Sequence, residues 1–439
     1  MIAEDKVKLV ALYFPQFHRI PENDEWWGAG FTDWTNVRKA EPQFPGHYQP
    51  RVPKDGRYYD QSQLETIRWQ VELAKSHGLH GFCHYHYWFD GKQLLETPTN
   101  LMLENKDIDF PFCLAWANEP WSRRWDGREQ DLLLAQTHRP DQALWEKHCE
   151  YLFRAWSDPR AICIDGKPVF MIYRPHLVTK LGDMLDFWTR RAKERGLPGL
   201  FFVAMKQYEY PQPALLDHFD GSMHFQPFEA LASPDFRWLP ETEEQEPADA
   251  VDAAIAIAQD RVPPVSELGW LKRQWKKLPH SFRYATHEVK WHLTHALMVV
   301  PKRLFNSLSR SLQERIVASQ SKRAPPLVIW DYDSIWTQIL KVEQDCGITT
   351  FPGAFVDWDN TPRYGRRARL FKGASPERFR YWFEQLVKVT ATRPAKERII
   401  FLNAWNEWAE GTYLEPDERY GMQQLESVRD ALAAQETVR

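Results

Sequence analysis

Glu407 and Glu410 stand three residues apart in the segment FLNAWNEWAEGTYLEP, residues 401–416, directly after the apolar run Ile399 to Leu402. Cleaving a glycosidic bond needs two carboxyl groups held in different protonation states, one to give a proton and one to take one. Trp405, Trp408 and Tyr413 surround the pair. They offer flat faces for sugar rings and an apolar setting that would raise the pKa of one acid. These two glutamates are the candidate catalytic residues, provided that the fold places them in a pocket.

The elements that must do so read as an alternation. Lys8 to Phe14, Gly81 to Tyr87, Phe112 to Ala117, Pro168 to Tyr173, Leu200 to Met205, Gly221 to Phe225, Ile348 to Val356 and Ile399 to Ala404 are short apolar runs. Helical spacing separates them over Leu64 to His77, Asp141 to Ala155, Leu181 to Arg195 and Pro376 to Val389, and Asp417 to Ala434 reads as a closing helix. Strands alternating with helices imply a parallel sheet, and eight strands close a barrel. The expected fold class is α/β, a (β/α)8 TIM barrel with a helical insertion after strand six. Residues 1–228 and 327–439 would form the barrel and 229–326 the insertion. A doubly wound open sheet is the alternative, but no glycine-rich phosphate loop follows any strand.

Barrels of this kind carry their chemistry at the C-terminal ends of the strands. Those ends supply the candidate substrate-binding residues. Strand one ends at Tyr13, and strand two at His86 and Trp88. Strand three leads into Trp116, Asn118, Glu119 and Trp121, and strand four ends at Tyr173. Gln226 follows strand six. Asp357, Trp358, Asn360 and Arg363 follow strand seven, and Asn403, Trp405 and Asn406 follow strand eight. A single Trp or His at a strand end is more often packing than function; the convergence of polar and aromatic groups at every end is the signal. The 21 Trp, 16 Tyr and 25 Phe suit carbohydrate stacking, and Trp125 falls among the same positions.

Other chemistries fit less well. His84 and His86 share a strand face and, with Asp90 and Glu119, could ligate zinc, but no H-E-x-x-H or cysteine cluster accompanies them. No metal and no cofactor are expected. No G-x-S-x-G marks a serine nucleophile. Asp331-Tyr-Asp333 has the letters of a nucleotide-sugar motif, yet it opens a helical stretch and reads as a helix cap. The net charge of −4 does not suggest a nucleic-acid partner.

The five cysteines are scattered without a C-x-x-C pair, which suits a reduced, cytoplasmic protein. The N-terminus lacks a secretory pattern, and no run approaches the ~18 apolar residues of a membrane span. The insertion begins acidic and turns basic. Its plain reading is a lid with a solvated basic face. The sharper one is a membrane-peripheral surface, with residues 261–323 touching anionic lipid or a lipid-linked glycan.

Residues 406–416, with Asn406, Glu407, Trp408, Glu410, Gly411, Thr412, Glu415 and Pro416, resemble the catalytic segment of the endo-α-mannosidases of glycoside hydrolase family 99. The whole chain outside the insertion is similar to the related WbsX-like proteins of bacterial surface-polysaccharide gene clusters. The shared segments are YFPQFH (13–18), FTDWTN (31–36), GFCHYHYW (81–88), WANEPW (116–121) and DWDNTPR (357–363). The resemblance implies the barrel fold and retaining endo-glycosidase chemistry through a 1,2-anhydro sugar. It makes Glu407 the base on the sugar 2-OH and Glu410 the acid and base at the leaving oxygen. Ala409 stands where the mannosidases usually have His. Glu410 would then be the protonated partner, and Glu407 would stay ionised if Asn403, Asn406 or Tyr173 reached it.

A rival assignment pairs Glu119, in an Asn-Glu-Pro turn, with Glu407. The expected activity is hydrolysis or transglycosylation of a bacterial surface polysaccharide or its lipid-linked precursor. The alternatives are a glycosyltransferase of lipopolysaccharide or O-antigen synthesis and a non-catalytic glycan-binding protein.

Overall fold

The computed structural model of the chain describes residues 6–124, 128–208, 213–232, 327–341 and 347–435, without the side chains of 128–130. Most of the insertion expected at 229–326, its basic stretch 261–323 and Trp125 lie outside the described residues.

The barrel strands are β1 (Lys8–Tyr13), β2 (Gly81–Phe89), β3 (Phe112–Trp116), β4 (Lys167–Ile172), β5 (Phe201–Lys206), β6 (Gly221–His224), β7 (Thr349–Phe351 continued by Gly353–Phe355) and β8 (Ile399–Asn403). All neighbours pair in parallel, and β8 returns to β1 through the register Lys8↔Ile399 to Ala11↔Leu402. Strand seven is read correctly in the sequence but is broken at Pro352, whose ring removes a ladder donor. Its first half pairs with β6 and its second with β8, which closes the ring. Gly353 must be glycine there, since a Cβ would lie 1.7 Å from the His224 carbonyl oxygen.

Helices return the chain between strands. Leu64–Ser76 follows β1, Thr97–Glu104 follows β2, Gln142–Trp156 follows β3, and Leu181–Glu194 follows β4. Pro376–Ala391 joins β7 to β8, and Gln423–Ala434 closes the chain. Side-chain caps mark their starts: the Asp141 carboxylate accepts from the Ala143 N–H and the Ser375 hydroxyl from the Arg378 N–H. The closing helix begins later than its spacing suggests. Asp417, the expected start, instead accepts from the Tyr413 hydroxyl at 2.8 Å and the Tyr420 N–H at 2.6 Å.

Strand alternation sorts the side chains into two cores. Val10, Leu12, Cys83, Cys113, Val169, Met171, Val203 and Phe401 form the barrel interior. Leu9, Ala11, Phe82, Leu114, Phe170, Ile172 and Leu402 face outward and pack with helix residues such as Ile67, Val71, Leu152 and Trp188. This parity decides which strand-end residues reach the mouth of the barrel.

Candidate active site

The two glutamates sit on a small hairpin. After β8, Asn406–Glu407 pairs antiparallel with Thr412–Tyr413, and Trp408–Glu410 forms the turn. Gly411 takes a left-handed φ of 67°, and a Cβ there would lie 2.9 Å from Asp359 Cβ. The hairpin is clamped from several sides. Asn406 grips the loop after β1, accepting from the Phe14 N–H at 2.8 Å and donating to the Phe14 carbonyl at 2.9 Å. Arg51 donates to the Gly411 carbonyl at 3.0 Å, and the Asp359 N–H donates to the Glu410 carbonyl at 2.7 Å. Beneath it, Trp408 stacks on Tyr413 with ring centroids 3.8 Å apart.

Arg363 joins the two acids. Its Nη1 donates to Glu410 Oε1, and its Nη2 lies 2.8 Å from Asp33 Oδ2 and 3.4 Å from Glu407 Oε2. Asp33 opens the short helix Asp33–Arg38, is fully buried, and also accepts from Asn36 Nδ2 at 2.9 Å. Three carboxyl groups thus share one buried guanidinium. Burial pushes Glu407 well above the usual carboxylate range, and the Glu410 charge pushes it further. Burial also raises Glu410, with Arg363 opposing the shift. The site therefore favours keeping a carboxyl proton more than an exposed pair would, as acid–base catalysis requires.

The walls are tyrosines. Tyr85 and Tyr87 point inward from β2, and burial and the Glu407 charge hold both phenols well above their usual value. Tyr173, at the end of β4, lies near enough to feel both Glu119 and Glu410, and Tyr208 feels Glu410 and is 37% exposed. Trp121 is half-buried against Tyr87, with centroids 5.2 Å apart, and against Trp26. Arg174 Nε donates to Glu119 Oε1 at 2.6 Å. Asn118 holds the Arg174 backbone, accepting from its N–H at 2.7 Å and donating to its carbonyl at 2.9 Å.

A second charge cluster lies behind the hairpin. Arg51 Nη2 is 2.7 Å from Asp357 Oδ2, and His47 and Gln49 reach Asp359 Oδ2 at 2.9 and 2.7 Å. Burial raises Asp357 above its usual value against the pull of Arg51. At Asp359, burial is outweighed by His47, Arg51 and Thr361, and its pKa falls to about 2.

Of the candidate residues, Arg363 touches both acids, Tyr173, Trp121 and Glu119 lie in or beside the mouth, and Asp357 pairs with Arg51 behind the hairpin. Others do not line it. Tyr13, His86, Trp88, Trp116, Trp358 and Trp405 belong to, or lie in, the layer between sheet and helices. Tyr13 donates to Gln70 Oε1 at 2.6 Å, His86 Nε2 meets His148 Nε2 at 2.8 Å, and Trp88 stacks on His148. Asn118 and Asn406 are backbone braces. Asn360 accepts from the Arg369 N–H at 2.8 Å, and Asn403 donates to the Gln226 carbonyl at 3.0 Å. Gln226 accepts from the Ala230 N–H at 3.2 Å. Asn403 and Asn406 are thus spent elsewhere, and the donor that reaches Glu407 is Arg363 Nη2 at 3.4 Å.

The aromatic rings next to the acids are likewise not open platforms, since Trp405, Trp408 and Tyr413 are buried. Sequence reading missed Asp33, Tyr85, Tyr87 and Arg51, whereas Asp359 lies within the segment DWDNTPR that it singled out. Asp33 lies inside a segment singled out for resemblance, and Tyr85 and Tyr87 are the other parity of a strand whose histidines drew attention. Asp331 and Asp333 behave as a helix start. Asp331 accepts from the Ser334 N–H and hydroxyl, both at 2.7 Å, and Asp333 accepts from Trp382 Nε1 at 2.8 Å.

Known proteins share this architecture. The solved structure of the GH99 endo-alpha-mannosidase from Bacteroides thetaiotaomicron is 12% identical, with a TM-score of 0.50 covering 100% of this chain and 99% of that one. A structure described as a glycoside hydrolase-like protein is 11% identical, with a TM-score of 0.51 covering 98% and 94%. At these identities the likeness is one of fold. Uncharacterized protein WxcX, from two strains of Xanthomonas campestris pv. campestris, is 33% identical over 425 residues, 97% of this chain and 49% of the relative. The chain thus spans about half the length of the curated relatives it matches. A family model described as Glycosyltransferase WbsX matches residues 9–428, which takes in every strand of the barrel and both glutamates of the hairpin. The chain belongs to the WbsX family.

Proposed function

We propose that this chain is a retaining, endo-acting glycoside hydrolase, or a transglycosylase of the same mechanism, acting on a bacterial surface polysaccharide or its lipid-linked precursor. The observation that carries the reading is the pair of buried Glu407 and half-buried Glu410 at the C-terminal mouth of a barrel, joined by Arg363. One carboxylate would take the proton of the sugar 2-OH as its oxygen attacks the anomeric carbon. The other carboxyl group would protonate the leaving oxygen and then activate water, through a 1,2-anhydro sugar. Tyr85, Tyr87, Tyr173 and Trp121 would wall the sugar, with Glu119 and Arg174 at its rim.

The fold shared with a GH99 endo-alpha-mannosidase supports hydrolysis. The family description names a glycosyltransferase. The Asp331–Asp333 pair gives that reading little support, because a helix cap and Trp382 occupy it. Residues 229–326 would form an insertion whose basic part, 261–323, meets anionic lipid at the cytoplasmic membrane face. A hydrolysis screen over bacterial surface glycans, with the product anomer read by NMR, tests the proposal. Retained configuration is expected. An inverted product would overturn the mechanism, and transfer only from a nucleotide sugar would overturn the class.

A further inference from the structure

The rim of the mouth is rich in arginine. The stretch after β7, residues 360–372, carries Arg363, Arg366, Arg367, Arg369 and Lys372 and no Asp or Glu. Arg363 is engaged inside, on Asp33 and the two glutamates. Arg369 is exposed and opens the short strand Arg369–Lys372. Asn360 pins its backbone, accepting from the Arg369 N–H at 2.8 Å through its side chain and donating its own N–H to the Arg369 carbonyl at 3.3 Å. Among the described residues no carboxylate forms an ion pair with Arg369. Two other loops add Arg174, after β4, and the exposed Arg124, whose charge acts on Glu410.

Tyr208 is where these charges meet. It follows β5, is 37% exposed, and holds a left-handed φ of 52°. A bulky residue adopts that conformation only where its surroundings impose it. Here the Tyr208 N–H donates to the Phe228 carbonyl at 3.1 Å, and the two rings lie 5.6 Å apart. Arg369 and Arg174 both lie close enough to the Tyr208 hydroxyl to oppose the upward push that burial gives its pKa, and Glu410 acts on the same hydroxyl. Arg174 is held in place. Its Nε donates to Glu119 at 2.6 Å, its Cζ stands 4.9 Å from the centre of the Tyr173 ring, and Asn118 clamps its backbone. Its Nη groups make no hydrogen bond to a described residue. Glu119 balances Arg174, which leaves Arg369 as the unmatched charge beside the phenol.

Guanidinium groups flanking a phenol hydroxyl suit an oxyanion, since their N–H forks and the O–H all donate to it. We propose that Tyr208, Arg174 and Arg369 form an anion-binding subsite beside Glu410, which takes a carboxylate or phosphate ester carried by the glycan. That the anion belongs to a substrate rests on the glycosidase reading above; the subsite itself does not. Its place next to the catalytic pair gives it a purpose. Ionised carboxyl groups repel an acidic sugar, and the arginines offset that repulsion where the charged substituent lies. A neutral glycan gains nothing from them, so the same three side chains select for acidic chains.

Nitrogen-15 NMR of the arginine Nε signals tests the subsite in the full chain, with methyl β-glucuronide, methyl phosphate and methyl β-glucoside as probes. The Arg174 and Arg369 signals are assigned with Arg174→Lys and Arg369→Lys. Both should shift saturably with the glucuronide or the phosphate and stay in place with the uncharged glucoside. The tighter of the two anions identifies the group as a sugar acid or a phosphate ester. Arg369→Ala should weaken that binding by roughly 10-fold, the worth of one charge-assisted hydrogen bond. Arg369 is exposed, so its replacement should leave the fold intact. The proposal is overturned by an absence of saturable shifts with both anions, by an equal response to the glucoside, or by the same response at Arg429 on the closing helix. Unchanged anion affinity in Arg369→Ala overturns it as well. None of these readouts needs turnover. A protein that binds the anions and cleaves no glycan would refute the glycosidase reading alone, and one that cleaves glycans but binds neither anion would refute the subsite alone.

Discussion

The indole of Trp408 donates to the carboxylate of Glu415 at 2.7 Å, so the residue next to a candidate catalytic glutamate is held by a third, deeply buried one. Glu415 also accepts from Tyr59 at 2.7 Å and from Gln70 at 2.6 Å. The hairpin that carries the chemistry therefore rests on a carboxylate that takes no part in it.

That support is sensitive to pH. Burial raises the Glu415 pKa to about 7, against about 4.3 in an unfolded chain. Between these values the folded state binds more protons than the unfolded one, so stability falls as pH rises. Glu407 and Glu410 are raised too and act with the same sign. Urea midpoints should decline from pH 4.5 to 7, and Glu415→Gln should flatten part of that slope. A parent protein that gains stability across this window would contradict the assignment.

Glu407→Gln and Glu410→Gln should each reduce turnover by roughly 10²–10⁴-fold on any glycan the parent cleaves, with circular dichroism unchanged. Full activity in either variant would remove that residue from the catalytic pair.

Arg363→Met would leave three buried carboxyl groups without their shared cation. A loss of about 3–5 kcal/mol is expected from urea unfolding near neutral pH. The deficit should shrink as the pH falls and the carboxyl groups protonate.

Trp121 and Trp88 make a contrast that tests the parity of the mouth. Trp121→Ala should raise KM by roughly 3–10-fold, the worth of one aromatic contact of about 0.5–1.5 kcal/mol. Trp88→Ala should instead cost about 3–5 kcal/mol of stability through the cavity it leaves beside His148, with KM little changed. The reverse pattern would mean that Trp88 faces the substrate.

Asn406 staples the loop after β1 to the hairpin with two hydrogen bonds. Asn406→Ala leaves the buried Phe14 amide unmet, although Gln61 Nε2 still donates to the Phe14 carbonyl at 2.8 Å, and should cost about 1–3 kcal/mol. Its effect on turnover should be smaller than that of either glutamate variant, because it orients the hairpin and touches no reacting group.

Much of this was legible before any coordinates. Apolar runs of strand length separated by helical spacing announce a barrel, since each run must be buried and each helix must cover it. Arg363 and Tyr173 were legible as candidates because they follow such runs. Tyr85 and Tyr87 were not, because a strand buried on both faces carries no alternation to tell inside from outside. His86 and Trp88 looked functional by residue type, yet the register of β2 against β1 and β3 turns them toward the helices.

The sequence by itself determined the elements, their order and the two acids, because apolar period and residue type are local properties of the chain. Only the tertiary structure decided which acid is best paired. Asp33, Arg363, Glu407 and Glu410 come from three separate loops, and electrostatic energy depends on distance in space. The same two glutamates, three residues apart in the chain, acquire different environments because the fold lends one guanidinium unequally between them.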